Sequence, residues 1–198
     1  YAISKDKDLT FTNYFYIDEN PLFIGEYRQA FKNSNLTLDM GYTQGYKNTS
    51  ATKKSGEKSH FFSNFVSLFK GKNNSENIFK FRTQDVSNDK YLKLYRINSD
   101  LVDYNQDILE NYIDFSHSSD EIFLSANATI YENLKENYND KYEYIFPEVT
   151  LDKNLFQNDT LGSLDLLSNF RVNNYDTNKT SKLLINDFNW KQNEHLFD

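Results

Sequence analysis

Hydrophobic and polar residues alternate along most of this chain with the period of a β-strand. Leu9, Phe11, Phe15 and Ile17 fall on one face, and Thr10, Thr12, Tyr14 and Tyr16 on the other. Asp18-Glu19-Asn20-Pro21 follows as a turn signal, because proline presets φ and Asp and Asn close local turns. The run 22–31 sends Phe23, Gly25, Tyr27 and Phe31 one way and Glu26 and Arg28 the other. After a short connection at Asn33-Ser34, Leu36, Leu38, Met40 and Tyr42 alternate with Thr37, Asp39, Gly41 and Thr43.

The pattern then lapses and returns. Residues 47–58 are a polar loop without a period, and 60–72 read as a strand with apolar residues on both faces. Phe79 and Phe81 oppose Lys80 and Arg82. The stretch 85–107 breaks the alternation, and it reads as an irregular insert with a short helical turn around Tyr91–Tyr95. Leu109, Ile113 and Phe115 then oppose Glu110, Tyr112 and Asp114. Further strands are predicted through Leu124–Ile130, from Tyr142 to Phe156, through Leu164–Val172 and near 181–190.

This reading predicts an all-β chain: an antiparallel up-and-down meander of about ten strands, with the irregular insert near 85–107. Runs near ten residues suit the ~9–11 residue span of a tilted membrane strand. Long strands also occur in soluble sheets. The pattern alone therefore leaves open a membrane β-barrel and a soluble or cell-surface sheet with one dry face, such as an adhesin or solenoid fragment. Tyrosines near the strand ends, among them Tyr14, Tyr42, Tyr131 and Tyr175, fit the aromatic girdle of a barrel.

Composition narrows the choice. The chain is 38% hydrophobic but 17% aromatic, and that many aromatics argues against a disordered chain. No run reaches the ~18 apolar residues of a spanning helix, whereas barrel strands average out polar. The net charge of −7, with no basic stripe, argues against nucleic acid as a partner. There are 0 cysteines, so no thiolate metal site exists. The opening Tyr1-Ala2-Ile3 lacks Met, so the chain is expected to be a piece of a longer protein.

Particular words resemble a known family. The opening YAISKDKDLTFTNYFYIDENPLFIGEYRQAF is similar to the start of the barrel in the lipopolysaccharide-assembly (LptD, organic solvent tolerance) family. The match runs through Tyr1, Ala2, Ile3, Asp8, Leu9 and Thr10, then Gly25, Glu26, Tyr27 and Arg28. HFFSNF at 60–65 resembles the family's strand after its first long loop. Ser87, Asp89, Tyr91, Leu92 and Tyr95 match an "SDDxYLRxY" segment, and Tyr142, Tyr144 and Pro147 match a "YEYxLP" strand. The order and spacing of these words extend over nearly the whole chain. The chain departs from the family in lacking cysteine, which the family often uses in disulfides.

The resemblance implies transport rather than catalysis. It implies an arc of a very large barrel, toward the ~26-strand end of the range, in the cell outer membrane. That barrel would receive lipopolysaccharide from periplasmic bridge proteins and pass it to the outer leaflet. A plug lipoprotein (LptE-like) would sit in the lumen, and outer-membrane lipids would surround the wall. Lumen-facing polar candidates are Glu26, Arg28, Asp39, Lys80, Arg82, Glu110 and Asp114. A hydrated lumen lined by them would pass a charged saccharide, and the 85–107 insert is expected to fold into it.

Other chemistry has weaker support. Asp114-Phe-Ser-His117-Ser-Ser-Asp120 invites an outer-membrane hydrolase reading, but a triad is a spatial arrangement and turns are rich in Ser and Asp. His60 reads as an interface or solvent residue, and His195 lies in a polar tail. Ser87-Asn88-Asp89 and Asn137–Asp140 offer oxygens to Ca²⁺, but turn composition explains them. No catalytic residue, metal site or cofactor is assigned. Lys47, Lys53, Lys54 and Lys58 make the first long loop basic.

Overall fold

The computed structural model of the protein describes residues 2–192, except 73, 136–139 and 177. His195 and most of the Asn137–Asp140 run lie outside the described residues. The strands are β1 (Ala2–Ser4), β2 (Lys7–Tyr14), β3 (Leu22–Ala30), β4 (Ser34–Gly45), β5 (Ser55–Lys70) and β6 (Glu76–Val86). They continue as β7 (Ile108–Ser118), β8 (Ile122–Asn133), β9 (Tyr142–Asn158), β10 (Gly162–Tyr175) and β11 (Lys179–Lys191). Between β6 and β7 lies a short helix, α1 (Tyr91–Tyr95).

All of these strands join one 11-stranded sheet in sequence order, and each ladder is antiparallel. The sheet is open. It is an all-β up-and-down meander with the connectivity of an arc of a barrel. The extra strand relative to the alternation pattern is β1, whose three residues are too short to show a period. Two boundaries also move. β2 ends at Tyr14, leaving Phe15 and Ile17 in the connection, and β5 begins at Ser55, inside the polar loop.

The register divides the side chains into two faces. Glu26 lies opposite Asp39, Asp39 opposite Phe62, Phe62 opposite Gln84, and Lys80 opposite Asp114. Because strand side chains alternate, this inner face also carries Arg28, His60, Arg82 and Glu110. The outer face carries Phe11, Leu38, Phe79, Ile113, Leu166 and Phe188. Phe11 is 72% exposed and Phe188 62%, while Leu38, Phe79 and Leu166 are half-buried.

β9 keeps this division only by breaking its own alternation. Asn127 pairs with Glu148, but Thr129 pairs with Ile145, so Phe146 and Pro147 together oppose Ala128. The same two residues oppose Val172 on the other side. This bulge changes the phase of β9, which places Ile145 and Glu148 on the same face. Proline cannot donate to a ladder, and within a strand paired on both sides a bulge accommodates it.

The dry core sits on the inner face, under the insert 87–107. It joins Leu22, Phe62, Val86 and Leu109 of the sheet to Tyr91, Leu92, Tyr95, Ile97, Leu101 and Val102 of the insert. Leu109 keeps the parity of Ile113 and Phe115 but not their exposure. It is fully buried in this core, while Ile113 and Phe115 remain exposed. The cause is its position at the start of β7, where the insert returns to the sheet. Arg96, with φ of 50°, ends α1 in the left-handed region and turns the chain back through the Ile97 N–H to the Leu92 carbonyl, 3.0 Å.

The connections at the two ends of the sheet differ. One end has the short links 31–33, 71–75, 119–121 and 159–161. The other has 15–21, 46–54, 134–141, the insert between β6 and β7, and one short link, 176–178.

Leu92 is 1% exposed at the centre of this core. Leu92→Ala is expected to cost about 2–5 kcal/mol through lost burial and a residual cavity. Denaturant unfolding of the protein measures this, and a loss below about 1 kcal/mol would mean that the insert is not tightly packed.

Candidate functional site

The seven polar residues picked from the sequence all project from the inner face, and most engage one another. Arg28 lies 3.0 Å from Asp8 on β2, 3.4 Å from Glu26 and 3.4 Å from Asp100 of the insert. Lys80 and Asp114 are 3.7 Å apart, and Arg82 and Glu110 3.6 Å. These pairs are partly exposed and screened by water, so they add little to stability. Their main effect is to offer alternating charge to water on one surface. Asp39 differs from the rest: it is fully buried, beneath α1.

Asp39 anchors a buried polar chain. His60 Nε2 is 3.1 Å from Asp39 Oδ1, and His60 Nδ1 is 3.1 Å from the Tyr91 hydroxyl. A neutral imidazole donating from Nε2 to the carboxylate and accepting from Tyr91 satisfies both contacts. The His60 ring stacks on Phe62 at 4.6 Å between centroids. Burial, and next the Asp39 carboxylate, push the Tyr91 hydroxyl well above its ordinary pKa, so it stays a donor. Asp39 Oδ2 has no hydrogen-bond partner among the described residues. His60 is therefore a core residue, 4% exposed, and not the interface or solvent residue its position after a loop implies.

Gly41 makes room for this chain. A Cβ there would stand 2.5 Å from His60 Cε1 and 2.9 Å from the Tyr91 hydroxyl. Sequence reading treats Gly41 as one more position in an alternating strand. Its reason is the imidazole packed across the ladder, opposite it in register.

Gln84 is the second residue that the sequence reading misses. The regular β6–β7 pairing reaches Arg82 opposite Tyr112. Beyond it, side chains complete the ladder. The Gln84 N–H donates to Asn111 Oδ1 at 2.8 Å, and the Glu110 N–H donates to Gln84 Oε1 at 2.9 Å. Gln84 Nε2 donates to the Leu101 carbonyl at 2.7 Å, and Arg82 donates to the same oxygen at 3.2 Å. The backbone of the insert is thus held by the inner face, a polar grip on a segment that otherwise packs through apolar side chains.

The feet of the insert are clamped by charge. Asp107 pairs with Lys135 and Lys93, which hold its carboxyl below the ordinary range. Lys141 lies 2.7 Å from Asp89 and 2.9 Å from Glu132. Desolvation lowers the Lys141 pKa, but these two carboxylates outweigh it and raise the net value. The Asp89 oxygen suggested as a Ca²⁺ ligand thus accepts from Lys141, and Asn88 Oδ1 accepts from the Lys90 N–H. Among the described residues, no three His, Asp or Glu side chains converge on a metal-sized site.

The Ser-His-Asp word does not assemble locally. Asp114 faces inward toward Lys80, and alternation sends His117 to the opposite face, where its Nδ1 is 2.8 Å from Asn77 Oδ1. In the basic loop, the Lys47 ammonium donates to the Ile17 carbonyl, and Lys53 lies over the Tyr46 ring. Lys58 is buried and donates to the Lys54 carbonyl at 2.9 Å.

Across β8–β10 the inner face carries amides and carboxylates without insert cover. Asn127 lies 3.4 Å from Glu148, Asn169 2.9 Å from Thr150, and Asn173 3.0 Å from Glu143. The outer face presents a shallow apolar groove of about 640 Å³ at the Phe146–Pro147 bulge, lined by Phe81, Ile113, Ile130, Tyr144, Phe146 and Val172 among others.

No protein-family model matches this chain, and no curated protein sequence matches it.

Gly41→Ala is expected to displace the His60 ring and destabilise the docked insert by about 1–3 kcal/mol, as overpacking does. Hydrogen exchange across 91–102 would rise. Unchanged protection there would show that the ring has room the contact distances do not allow.

Proposed function

We propose that this chain is part of an outer-membrane β-barrel that passes lipopolysaccharide to the outer leaflet. The barrel reading rests on one observation, the division of the sheet into an exposed apolar face and a polar face. Phe11, Met40, Phe61, Phe81, Ile113, Leu184 and Phe188 stand exposed on the outer side. The inner side carries the charge row from Arg28 to Asp114 and the amides of β8–β10, with Leu167, Leu183 and Ile185 as exposed apolar exceptions at β10–β11. A soluble sheet hides its apolar face, and a lipid-facing barrel wall exposes it.

Two further features support the reading. Strands β4 to β11 run from 11 to 17 residues. Tilted strands need only ~9–11 residues to cross the hydrocarbon. All the long links lie at one end of the sheet, together with the short link 176–178, and the other end has short links only, which resembles extracellular loops and periplasmic turns. On this reading the insert is an outer-side loop folded back over the lumen face. Trp190, near the short-link end, donates from Nε1 to the Leu161 carbonyl with its ring 62% exposed, as an interfacial anchor would.

The cargo comes from the resemblance to the lipopolysaccharide-assembly family. The same resemblance supplies the partners: a plug lipoprotein in the lumen, periplasmic bridge proteins and outer-membrane lipids. The charge row and the amides suit a hydrated saccharide, and no catalytic group is required for such transfer.

Two measurements test this. Phe81→Arg on the outer face is expected to destabilise the protein in lipid vesicles by about 2–4 kcal/mol if the site lies near mid-bilayer, while Asn127→Arg on the inner face costs less than about 1 kcal/mol. Equal costs would remove the lipid assignment. A photo-crosslinking residue at Asn127 or Asn169 in living cells is expected to capture lipopolysaccharide. Absence of adducts from the inner positions, with surface lipopolysaccharide normal after depletion of the protein, would sink the cargo assignment.

A further inference from the structure

We propose that the insert 87–107 is a gate over the inner polar face, and that the buried chain Asp39–His60–Tyr91 is its latch. The proposal concerns the inner face and does not depend on what covers the outer one.

The insert touches part of the inner face through specific contacts. Asp100 meets Arg28, the Leu101 carbonyl accepts from Arg82 and Gln84, and Tyr91 reaches His60. With the insert docked, Asp39 is sealed and Arg28 and Arg82 are engaged. With it released, the sealed Asp39, His60 and Gln84 would join the already hydrated charge row and face whatever passes along it. The amides of β8–β10 remain uncovered in either state.

The latch is built at a cost. A fixed structural plug is held most firmly by apolar side chains, and replacing a buried ion pair with well-packed hydrophobic residues is often neutral or stabilising. Here one fully buried contact of α1 with β4 and β5 is instead made by a carboxylate, an imidazole and a phenol. Asp39 Oδ2 also lacks a hydrogen-bond partner among the described residues in the docked state. Burying an unpaired acceptor is unfavourable, and water would satisfy it on release. Docking therefore removes hydration from a group it does not fully repay, which makes opening easier. The polar chain still fixes where the insert lands, because only one placement of Tyr91 meets His60 Nδ1.

The gate and a plain structural core respond differently to two replacements. Tyr91→Phe keeps the ring and removes the latch hydroxyl, leaving a buried imidazole nitrogen unpaired. The double replacement Asp39→Leu with His60→Phe removes the polar chain altogether. Since the chain has 0 cysteines, a single introduced thiol reports opening. Val102→Cys, at a position 4% exposed in the insert, reads the gate, and Thr129→Cys, at a position 9% exposed on β8, reads the sheet. Maleimide labelling is followed on the complete protein folded in micelles.

Tyr91→Phe is expected to speed labelling of the insert thiol about tenfold. The double replacement is expected to slow it, and the β8 thiol to label at an unchanged rate in both backgrounds. The latch is overturned if Tyr91→Phe leaves the insert thiol unaffected. It is overturned equally if the double replacement speeds labelling in the insert, because the polar chain would then be ordinary stabilising structure. Parallel acceleration of the β8 thiol would also overturn it, by showing that the chain serves the whole sheet.

Discussion

Every feature of this molecule depends on the continuous antiparallel ladder. Its hydrogen bonds give each strand from β3 through β10 a partner on both sides, and its period of two decides which side chains meet. A slip of one residue at any ladder would move Glu26, Arg82 or Asp114 to the apolar side and bring phenylalanines inward. The register holds because errors are corrected where they arise. The bulge at Phe146–Pro147 absorbs one extra residue of β9 against both neighbours, so Thr129, Ile145 and Asn173 stay on one face. At the mouth of the insert, Gln84 and Asn111 side chains replace ladder bonds that the backbone no longer makes.

The two faces bury material in different ways. The outer face packs only along itself: aromatic and aliphatic side chains cover their strand neighbours, yet rings from Phe115 at 37% to Phe11 at 72% stay exposed. Such a surface is costly in water and suited to lipid. The inner face is mostly polar, and it turns dry where the insert folds onto Leu22, Phe62 and Val86. That patch encloses two deeply buried titratable groups of the sheet, Asp39 and His60. A hydrophobic core and a buried ionisable pair thus occupy the same few strands, which makes the insert the part of the structure most able to change state.

This arrangement links the proposed transport role to the proposed gate. A lumen wall must stay hydrated for a saccharide to pass. A loop that dries part of that wall removes it from the path, and the uncovered inner face across β8–β10 remains as the wetted surface. The asymmetry of the connections places the insert with the other long loops, so one end of the sheet carries the adaptable segments and the other only tight turns. Clamps at Asp107 and Lys141 fix the two feet of the insert while its middle rests on the polar latch.

The sequence by itself determined the class of fold and the composition of the two faces, because a period of two is local and survives without knowledge of partners. Thr10 beside Phe11, or Lys80 beside Phe79, states the division directly. It determined less where the period failed. The three residues of β1 carry no pattern, β9 changes phase at Pro147, and Leu109 reads as one more outer residue. Only the tertiary structure decided that 87–107 folds onto β3–β7, and so that His60, Gly41 and Gln84 matter. Their roles arise from residues far off in the chain that meet across the ladder or through the insert. A lone histidine in HFFSNF looks like any strand residue until Asp39 and Tyr91 are brought to its two nitrogens. Burial and pairing over such distances are properties of the packed sheet, and no local pattern encodes them.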